Sequence, residues 1–494
     1  MQRSKADTDQ DAQSLDQSLG HGGTINADIC VIGAGSGGLS VAASTVQLGT
    51  RVVLIEKHKM GGDCLNYGCV PSKALIAAAR RAHEMRTSGK FGIVPVAPQV
   101  DPAAVHSHVH SVIDAIAPND SVERFTGLGV QVIQAHARFR DKNTIEAGDT
   151  LIKAHRFVIA TGSSPAVPPI PGLDKVPYFT NETLFDNREA MGHLIIIGGG
   201  PIGMELAQAH LRLGSAVTVL EGLKALGKDD PELADVVLKH ARSEGLVIRE
   251  GTKVESVSGW PGAIRVAVST PDGPEIVEGT HLLVATGRKP NVDDLNLEAA
   301  GIKYDKRGIM VNDGLVTSNR KVFAIGDVTG GLQFTHVANY HAGIVFRRAL
   351  FRLPAKVNND LVPWVTYTDP ELAQVGLTED AARKKHNAIN VFRWPYHEND
   401  RAQAERATEG FVKVVTDKKG RILGAGIVGQ HAGELIQIWS LAISQRLKIT
   451  AMTRWIAPYP TLGEISKRAA LGTYALSAGN PLIRKVVTLL RKLG

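Results

Sequence analysis

Cysteine is almost absent: Cys30, Cys64 and Cys69 are the three in 494 residues. A structural zinc site takes four Cys or His ligands at short spacings such as C-x-x-C, and the Cys64–Cys69 interval does not supply that pattern. Cys30 falls inside an apolar strand pattern. Long apolar runs are also missing, since none reaches the roughly 18–20 residues of a membrane span. Residues 1–24 are polar and lack the apolar h-region of a secretory signal. They read as a disordered leader, which makes the cytoplasm the expected compartment. There, a persistent disulfide is catalytic more often than structural. The net charge of +7 comes without an aromatic-interleaved basic stripe or a finger pattern, so nucleic acid is not an expected partner. Bound anionic cofactors would explain part of the excess.

What is present is glycine, 51 residues of it, with 43% hydrophobic content. Both describe an α/β protein rich in tight βα turns. The chain is too long for one core and is expected to form several domains. Residues DICVIGAGSGG, from Asp28, run an apolar strand into Gly33-x-Gly35-x-x-Gly38, and a second strand ends at Glu56. The first glycine permits the tight turn and the second lets the backbone approach a pyrophosphate. The third lets the helix pack closely, with its N-terminal amides on the phosphates. Glu56 is placed to accept from a ribose hydroxyl. The device recurs as Gly198-x-Gly200-x-x-Gly203 with Glu221 at the matching distance. Two cradles imply two dinucleotides, FAD and a nicotinamide cofactor. Glu221 welcomes a 2′-hydroxyl and repels a 2′-phosphate, and no arginine stands beside it, so NADH is expected over NADPH.

Cys64 and Cys69 lie in GGDCLNYGCVPSK, residues 61–73. In a regular helix, positions i and i+5 are separated by a rise of about 7.5 Å and diverge by about 140°. A disulfide needs Cα atoms within about 6.8 Å. A bridge therefore requires an irregular helix entrance, which Gly61, Gly62 and Gly68 permit. The nearby His106, His108 and His110 (HSHVH) read as an ordinary polar helix face, although His106 and His110 stand one turn apart.

The cysteine motif, following one cradle and preceding another, closely resembles the class I pyridine nucleotide–disulfide oxidoreductases. These include dihydrolipoyl dehydrogenase, glutathione reductase and mercuric reductase. The resemblance implies two Rossmann-like dinucleotide-binding domains, for FAD and NAD, plus a C-terminal α+β dimerisation domain. VIATGSSP (158–165) and LVATGRKPN (283–291) look like the two chain crossings between the nucleotide domains. TSNRKVFAIGDV (317–328) is similar to the second flavin motif, in which Asp327 binds the ribityl or pyrophosphate region. On this basis Gly62, Thr161, Gly162, Gly326 and Asp327 join the FAD set, and Gly287 joins the NAD set. Glu205 matches the family glutamate that pairs with a lysine beside the flavin, and that lysine corresponds to Lys73. The resemblance further implies a redox-active Cys64–Cys69 disulfide fed from NADH through flavin. Cys69 would be the sulfur nearer the ring, and Cys64 the exchange thiol that attacks a disulfide or binds a soft metal ion.

One position departs from the pattern. Disulfide-reducing relatives carry a histidine base, from the partner subunit, in a stretch resembling HPT followed by glutamate. Here the stretch is IAPYPTLGE (456–464): Glu464 is kept, and Tyr459 replaces the histidine. A phenol with an ordinary pKa near 10 does not cycle protons near neutrality. Mercuric reductases resemble the chain better here, although their C-terminal cysteine pair and N-terminal C-x-x-C module are missing from it. His397 and His431 are the substitute bases weighed. The expected substrate is a small disulfide, a metal ion or a quinone. Dihydrolipoyl dehydrogenase running dihydrolipoamide to NAD is one alternative, and a non-catalytic flavin-binding complex subunit is the other. No resident metal is expected.

The expected domains are FAD-binding 25–155, NAD-binding 156–290, central 291–358 and dimer-interface 359–475, giving a homodimer in which Tyr459 and Glu464 act in trans. Residues 476–494 form a basic tail. Asn480 suits a helix cap and Pro481 the first turn. Leu482, Ile483, Val486, Leu490 and Leu493 then share one face. This helix is expected to pack on the protein's own body, with an anionic membrane surface as the alternative.

Overall fold

In the computed structural model, residues 23–478 and 481–492 are described. The leader expected over 1–24 lies outside them except for Gly23 and Thr24, and Thr24 already opens a strand. The chain forms two compact units. One runs from the first described residues through Val70 and includes Val112–Ser164 and Arg288–Val357. The other comprises Pro71–Ser111, Pro165–Gly287 and the chain from Asn358 onward.

The first unit is built on a seven-stranded sheet, six strands in one path and a seventh, Val322–Ala324, pairing in parallel with Thr150–Ile159. Strands β1 (Thr24–Ile32) and β2 (Val52–Glu56) flank helix α1 (Ser36–Val46) in sequence. With β3 (Gln131–Gln134), β4 (Ala137–Asp141), β5 (Thr144–Ala147) and β6 (Thr150–Ile159), the sheet order is β3-β2-β1-β6-β5-β4. The four strands β3, β2, β1 and β6 are parallel. Because strand side chains alternate faces, β1 feeds two cores: Cys30 and Ile32 enter one, Ile29 and Val31 the other. Burial on both faces is why this strand reads as a continuous apolar run. Cys30 is fully buried, and burial pushes its thiol pKa up, so it is a packing residue. After β2 the chain enters α2 (Gly62–Asn66) and α3 (Cys69–Thr87).

In the second unit, α4 (Pro102–Ile116) contributes the residues up to Ser111. Strand β7 (His193–Ile197), helix α5 (Pro201–Arg212) and strands β8 (Ala216–Leu220), β9 (Val247–Arg249) and β10 (His281–Val284) follow. They give a parallel sheet ordered β9-β8-β7-β10. From residue 363 to 429 a five-stranded antiparallel sheet forms. Its core includes Trp439, Tyr396 and Ile465, the last from α6 (Glu464–Ala478).

The cuts between the two units fall at 164/165, 287/288 and 357/358, and residues 71–111 group with the second unit. Side-chain bonds explain that grouping. Lys73 pairs with Glu205, Arg86 bonds the Arg212 carbonyl, and His108 Nε2 lies 3.2 Å from the Ala74 carbonyl.

The tail helix α7 spans Pro481–Leu490, while Asn480 and Leu493 lie outside the described residues. Of its apolar side chains, Leu482 is 70% exposed, and Val486 and Leu490 are more than half exposed.

Candidate redox site

The two glycine turns are copies of one another in atomic detail. Gly33 (φ +102°) and Gly198 (φ +113°) occupy the left-handed region, and a Cβ on either would lie 2.4 Å from a carbonyl oxygen of the facing strand end. A Cβ on Gly38 or Gly203 would stand 1.9 or 2.0 Å from the carbonyl of the first glycine. Gly35 and Gly200, in contrast, face open space, with nothing nearer than 3.9 Å to an added Cβ. They are also the N-caps of α1 and α5, and neither helix start has a side-chain cap. Uncapped first-turn amides beside an open glycine make a phosphate cradle, so both turns fit a dinucleotide.

Each cradle is braced by its acidic residue. Glu56 accepts the Ala34 N–H at 2.6 Å and the His58 N–H at 2.8 Å. Glu221 accepts the Gly199 N–H at 2.8 Å and the Leu223 N–H at 2.9 Å. Every carboxylate oxygen keeps a second lone pair for a ribose hydroxyl. The turns thus hold the acids in place, a bracing role that spacing alone did not reveal.

The first cradle also anchors the cysteines. The Ala34 carbonyl accepts the Gly61 N–H at 2.9 Å, and Gly62 sits so close to Gly35 that a Cβ would reach its Cα at 2.7 Å. Asn66 Nδ2 ties back to the Met60 and Gly62 carbonyls. The helix then breaks: Tyr67 leaves helical backbone at φ −141°, ψ −3°, and a new helix starts at Cys69. This is the irregular entrance the pair requires.

No disulfide joins the sulfurs in this structure. The Cys64 thiol is hydrogen-bonded to Cys69, and that bond, followed by burial, raises its pKa, while a hydrogen bond with Thr335 opposes the rise. Thr335 Oγ1 also lies 3.5 Å from Cys69 Sγ. Cys69 is the more exposed sulfur.

A polar chain beside this motif escaped sequence reasoning. Arg288 donates through Nε to Ser163 Oγ and through Nη2 to the Ser163 carbonyl, both at 2.7 Å. Its Nη2 also meets Asp63 Oδ1 at 3.0 Å. Ser163 Oγ in turn donates to Asp327 Oδ2 at 2.6 Å. Burial raises the Asp327 pKa against the Ser163 hydrogen bond. The signal lay in the quoted motifs, because Asp63, Ser163 and Arg288 are neighbours of the residues singled out in them. Nearby, Thr161 Oγ1 donates to the Asn291 carbonyl at 2.7 Å. The Gly162 carbonyl accepts the Asn291 N–H, and the Gly326 N–H is held by His341 Nδ1 at 3.1 Å. Gly287 lies in the second unit, where its carbonyl accepts the Ala166 N–H.

Lys73 Nζ and Glu205 Oε2 meet at 2.8 Å, with Glu205 buried. Tyr367 completes the group: its N–H donates to Glu205 Oε1 at 2.9 Å, and Lys73 Nζ stands 4.3 Å from its ring centroid. Tyr459 is 70% exposed. Its hydroxyl donates to Asp400 Oδ2 at 2.8 Å, and that bond raises its pKa further above 10. Glu464 opens α6, and its charge adds to the rise at Tyr459. His431 adopts φ +58° at the start of a short helix, and the His397 carbonyl accepts from Gln403.

Two nucleotide cradles, a cysteine pair stitched to the first and an antiparallel C-terminal sheet define an oxidoreductase of two dinucleotides. Comparison with known proteins makes this specific. Residues 27–342 match the pyridine nucleotide-disulphide oxidoreductase family, and 362–470 match that family's dimerisation domain. The chain belongs to this family: it is an FAD- and NAD(P)-dependent, homodimeric pyridine nucleotide-disulfide oxidoreductase. It is 37% identical to a mercuric reductase of Lysinibacillus sphaericus, across 90% of this chain and 82% of that one. It is 34% identical to a dihydrolipoyl dehydrogenase of Staphylococcus aureus, across 90% and 96%. Among solved structures it is similar to the Cu(II) complex of RclA, an HOCl-induced flavoprotein disulfide reductase from Escherichia coli. That likeness has a TM-score of 0.81 at 28% identity and covers 90% of this chain and 99% of the other. LpdA of Mycobacterium tuberculosis gives a TM-score of 0.83 at 27% identity, with 90% and 99% covered.

Proposed function

We propose that this chain is an NADH-dependent reductase that passes electrons through Cys64 and Cys69 to a soft metal ion. The proton chemistry carries the choice of metal over disulfide. The hydrogen bond to Cys69 and burial push the Cys64 thiol pKa up, and Tyr459 stands where a histidine base would serve, its hydroxyl bonded to Asp400. Thiol–disulfide exchange near neutrality needs a base of matched pKa. A soft ion needs none, because it displaces thiol protons as metal–thiolate bonds form. The likeness to mercuric reductases and to a Cu(II)-bound relative supports the same reading.

A bound flavin supplies two-electron transfer between reduced nicotinamide and the sulfur pair. The chain's own residues do the rest. The glycine turns hold the pyrophosphates, and Glu56 and Glu221 orient the riboses. Lys73, balanced by Glu205, keeps a positive charge one helical turn beyond Cys69. Two electrons and two protons open the disulfide to a dithiol. Hg(II) then binds both sulfurs, two protons leave, and the ion departs reduced by two electrons as the disulfide re-forms; Cu(II), which takes one electron to Cu(I), is reduced as two ions per disulfide. Glu221 favours NADH over NADPH by the charge argument above. Tyr459 and Glu464 act across the dimer axis, and the cytoplasm is the proposed compartment. The identity to dihydrolipoyl dehydrogenases favours lipoamide as the second reading. The exposed apolar face of α7 favours contact with an anionic membrane surface.

NADH and NADPH oxidation by the purified protein with Hg(II), Cu(II), lipoamide, glutathione disulfide and a quinone tests the proposal. Expected is metal-ion turnover with NADH at least about tenfold above lipoamide, with Tyr459→His raising the lipoamide rate. Lipoamide outrunning both metals in the unaltered protein would overturn it.

A further inference from the structure

The HSHVH stretch is not an ordinary polar face. Helix α4 stacks the His106 and His110 rings over one another, centroids 4.1 Å apart and planes 29° apart. The segment Leu184–Asp186, distant in sequence, brings a carboxylate to them: Asp186 Oδ1 lies 3.7 Å from His110 Nε2. One donor atom from each of the three residues falls within 4.8 Å of the others. His110 Nε2 donates a hydrogen bond to the Phe185 carbonyl at 3.1 Å, a bond that a metal ion on Nε2 replaces. His108, between the two, points elsewhere, its Nε2 bonded to the Ala74 carbonyl.

We propose that His106, His110 and Asp186 form a binding site for a divalent transition-metal ion, separate from the cysteine pair. Two imidazoles and one carboxylate suit Zn(II), Cu(II) or Ni(II) rather than Ca(II) or Mg(II), which take mostly oxygen ligands. The spacing is suitable. Ligand atoms about 2.0–2.1 Å from one tetrahedral ion stand roughly 3.3 Å apart. The Asp186–His110 separation of 3.7 Å is close to this value, and the three donors, within 4.8 Å of one another, close on an ion by rotation of both the histidine and the Asp186 side chains. Three protein ligands leave a fourth position for water or for the Phe185 carbonyl. Binding would clamp α4 to the Leu184–Asp186 turn and so stabilise the folded chain.

The test uses the full-length protein carrying Cys64→Ser and Cys69→Ser, so that thiolates do not compete. Zn(II) is titrated against a chromophoric chelator, and Cu(II) is examined by electron paramagnetic resonance. Expected are one equivalent per chain and superhyperfine splitting from two nitrogens. Affinity falls about tenfold or more in His106→Ala, His110→Ala and Asp186→Asn, and it is unchanged in His108→Ala. A zinc-dependent rise in melting temperature disappears with the same three substitutions. Absence of the two-nitrogen signature before any histidine is changed overturns the site, even if a variant fails to fold. So does unaltered affinity in His106→Ala and His110→Ala.

Discussion

Cys64 and Cys69 differ from Cys30 in surroundings rather than in chemistry. Cys30 is sealed in the core of the first sheet. The other two meet where the chain breaks helix at Tyr67, so that their thiols hydrogen-bond. If they alone carry electrons, air-oxidised protein given NADH anaerobically and quenched in denaturant gains two titratable thiols per chain. Cys64→Ser gains none. A gain in that variant would move the redox pair elsewhere. The spacing of the cysteines was readable from the sequence, and so was the need for an irregular entrance. The hydrogen bond of Tyr459 to Asp400 was not, because 59 residues separate the partners.

At the level of elements, each cradle is a strand, a turn and a helix, and each has two intolerant glycines, the first of the turn and the one in the first helical turn. Alanine at Gly38 or Gly203 forces its Cβ into the first glycine's carbonyl, costing about 2 kcal/mol or more. Gly38→Ala should purify depleted in flavin. Gly203→Ala should keep its flavin and show a KM for NADH raised about tenfold or more. The reverse pattern would exchange the two assignments.

Helix α5 also ends in an ion network. Arg212 bonds Glu244 through Nε at 2.8 Å and Asp369 through Nη1 at 2.9 Å, and His240 bonds Glu244 as well. Burial alone would raise the Glu244 pKa, but Arg212 and His240 outweigh it and lower the value to about 2 from an ordinary 4.5. The folded value lies below the unfolded one. The associated stability, on the order of 3 kcal/mol, is therefore complete above about pH 4.5 and is lost as pH falls toward 2. Urea unfolding should show Glu244→Gln clearly destabilised at pH 7 and converging on the unaltered protein between pH 5 and pH 2. A constant gap across that range would rule out the linkage.

For the whole molecule, the dimerisation domain makes the chain a homodimer. No described helix is long and apolar enough to cross a membrane. The exposed apolar side chains of α7 nevertheless predict co-sedimentation with anionic liposomes, reduced in Leu482→Glu. Equal pelleting of both proteins would remove the membrane reading.

The sequence by itself determined the two glycine turns, the acidic residue that follows each at a fixed distance, and the spacing of the two cysteines. These depend on residues within about one strand–turn–helix unit, where steric rules for glycine and fixed periodicities decide the conformation. Lys73 and Glu205 were legible only through resemblance, since they stand 132 positions apart. The tertiary structure alone decided which distant groups meet: Arg288 with Ser163 and Asp63, Tyr367 with Lys73 and Glu205, and Asp186 with His106 and His110. Such contacts have no local signature. They are selected by how sheets and helices pack, and that packing brings one side chain to another regardless of their separation along the chain.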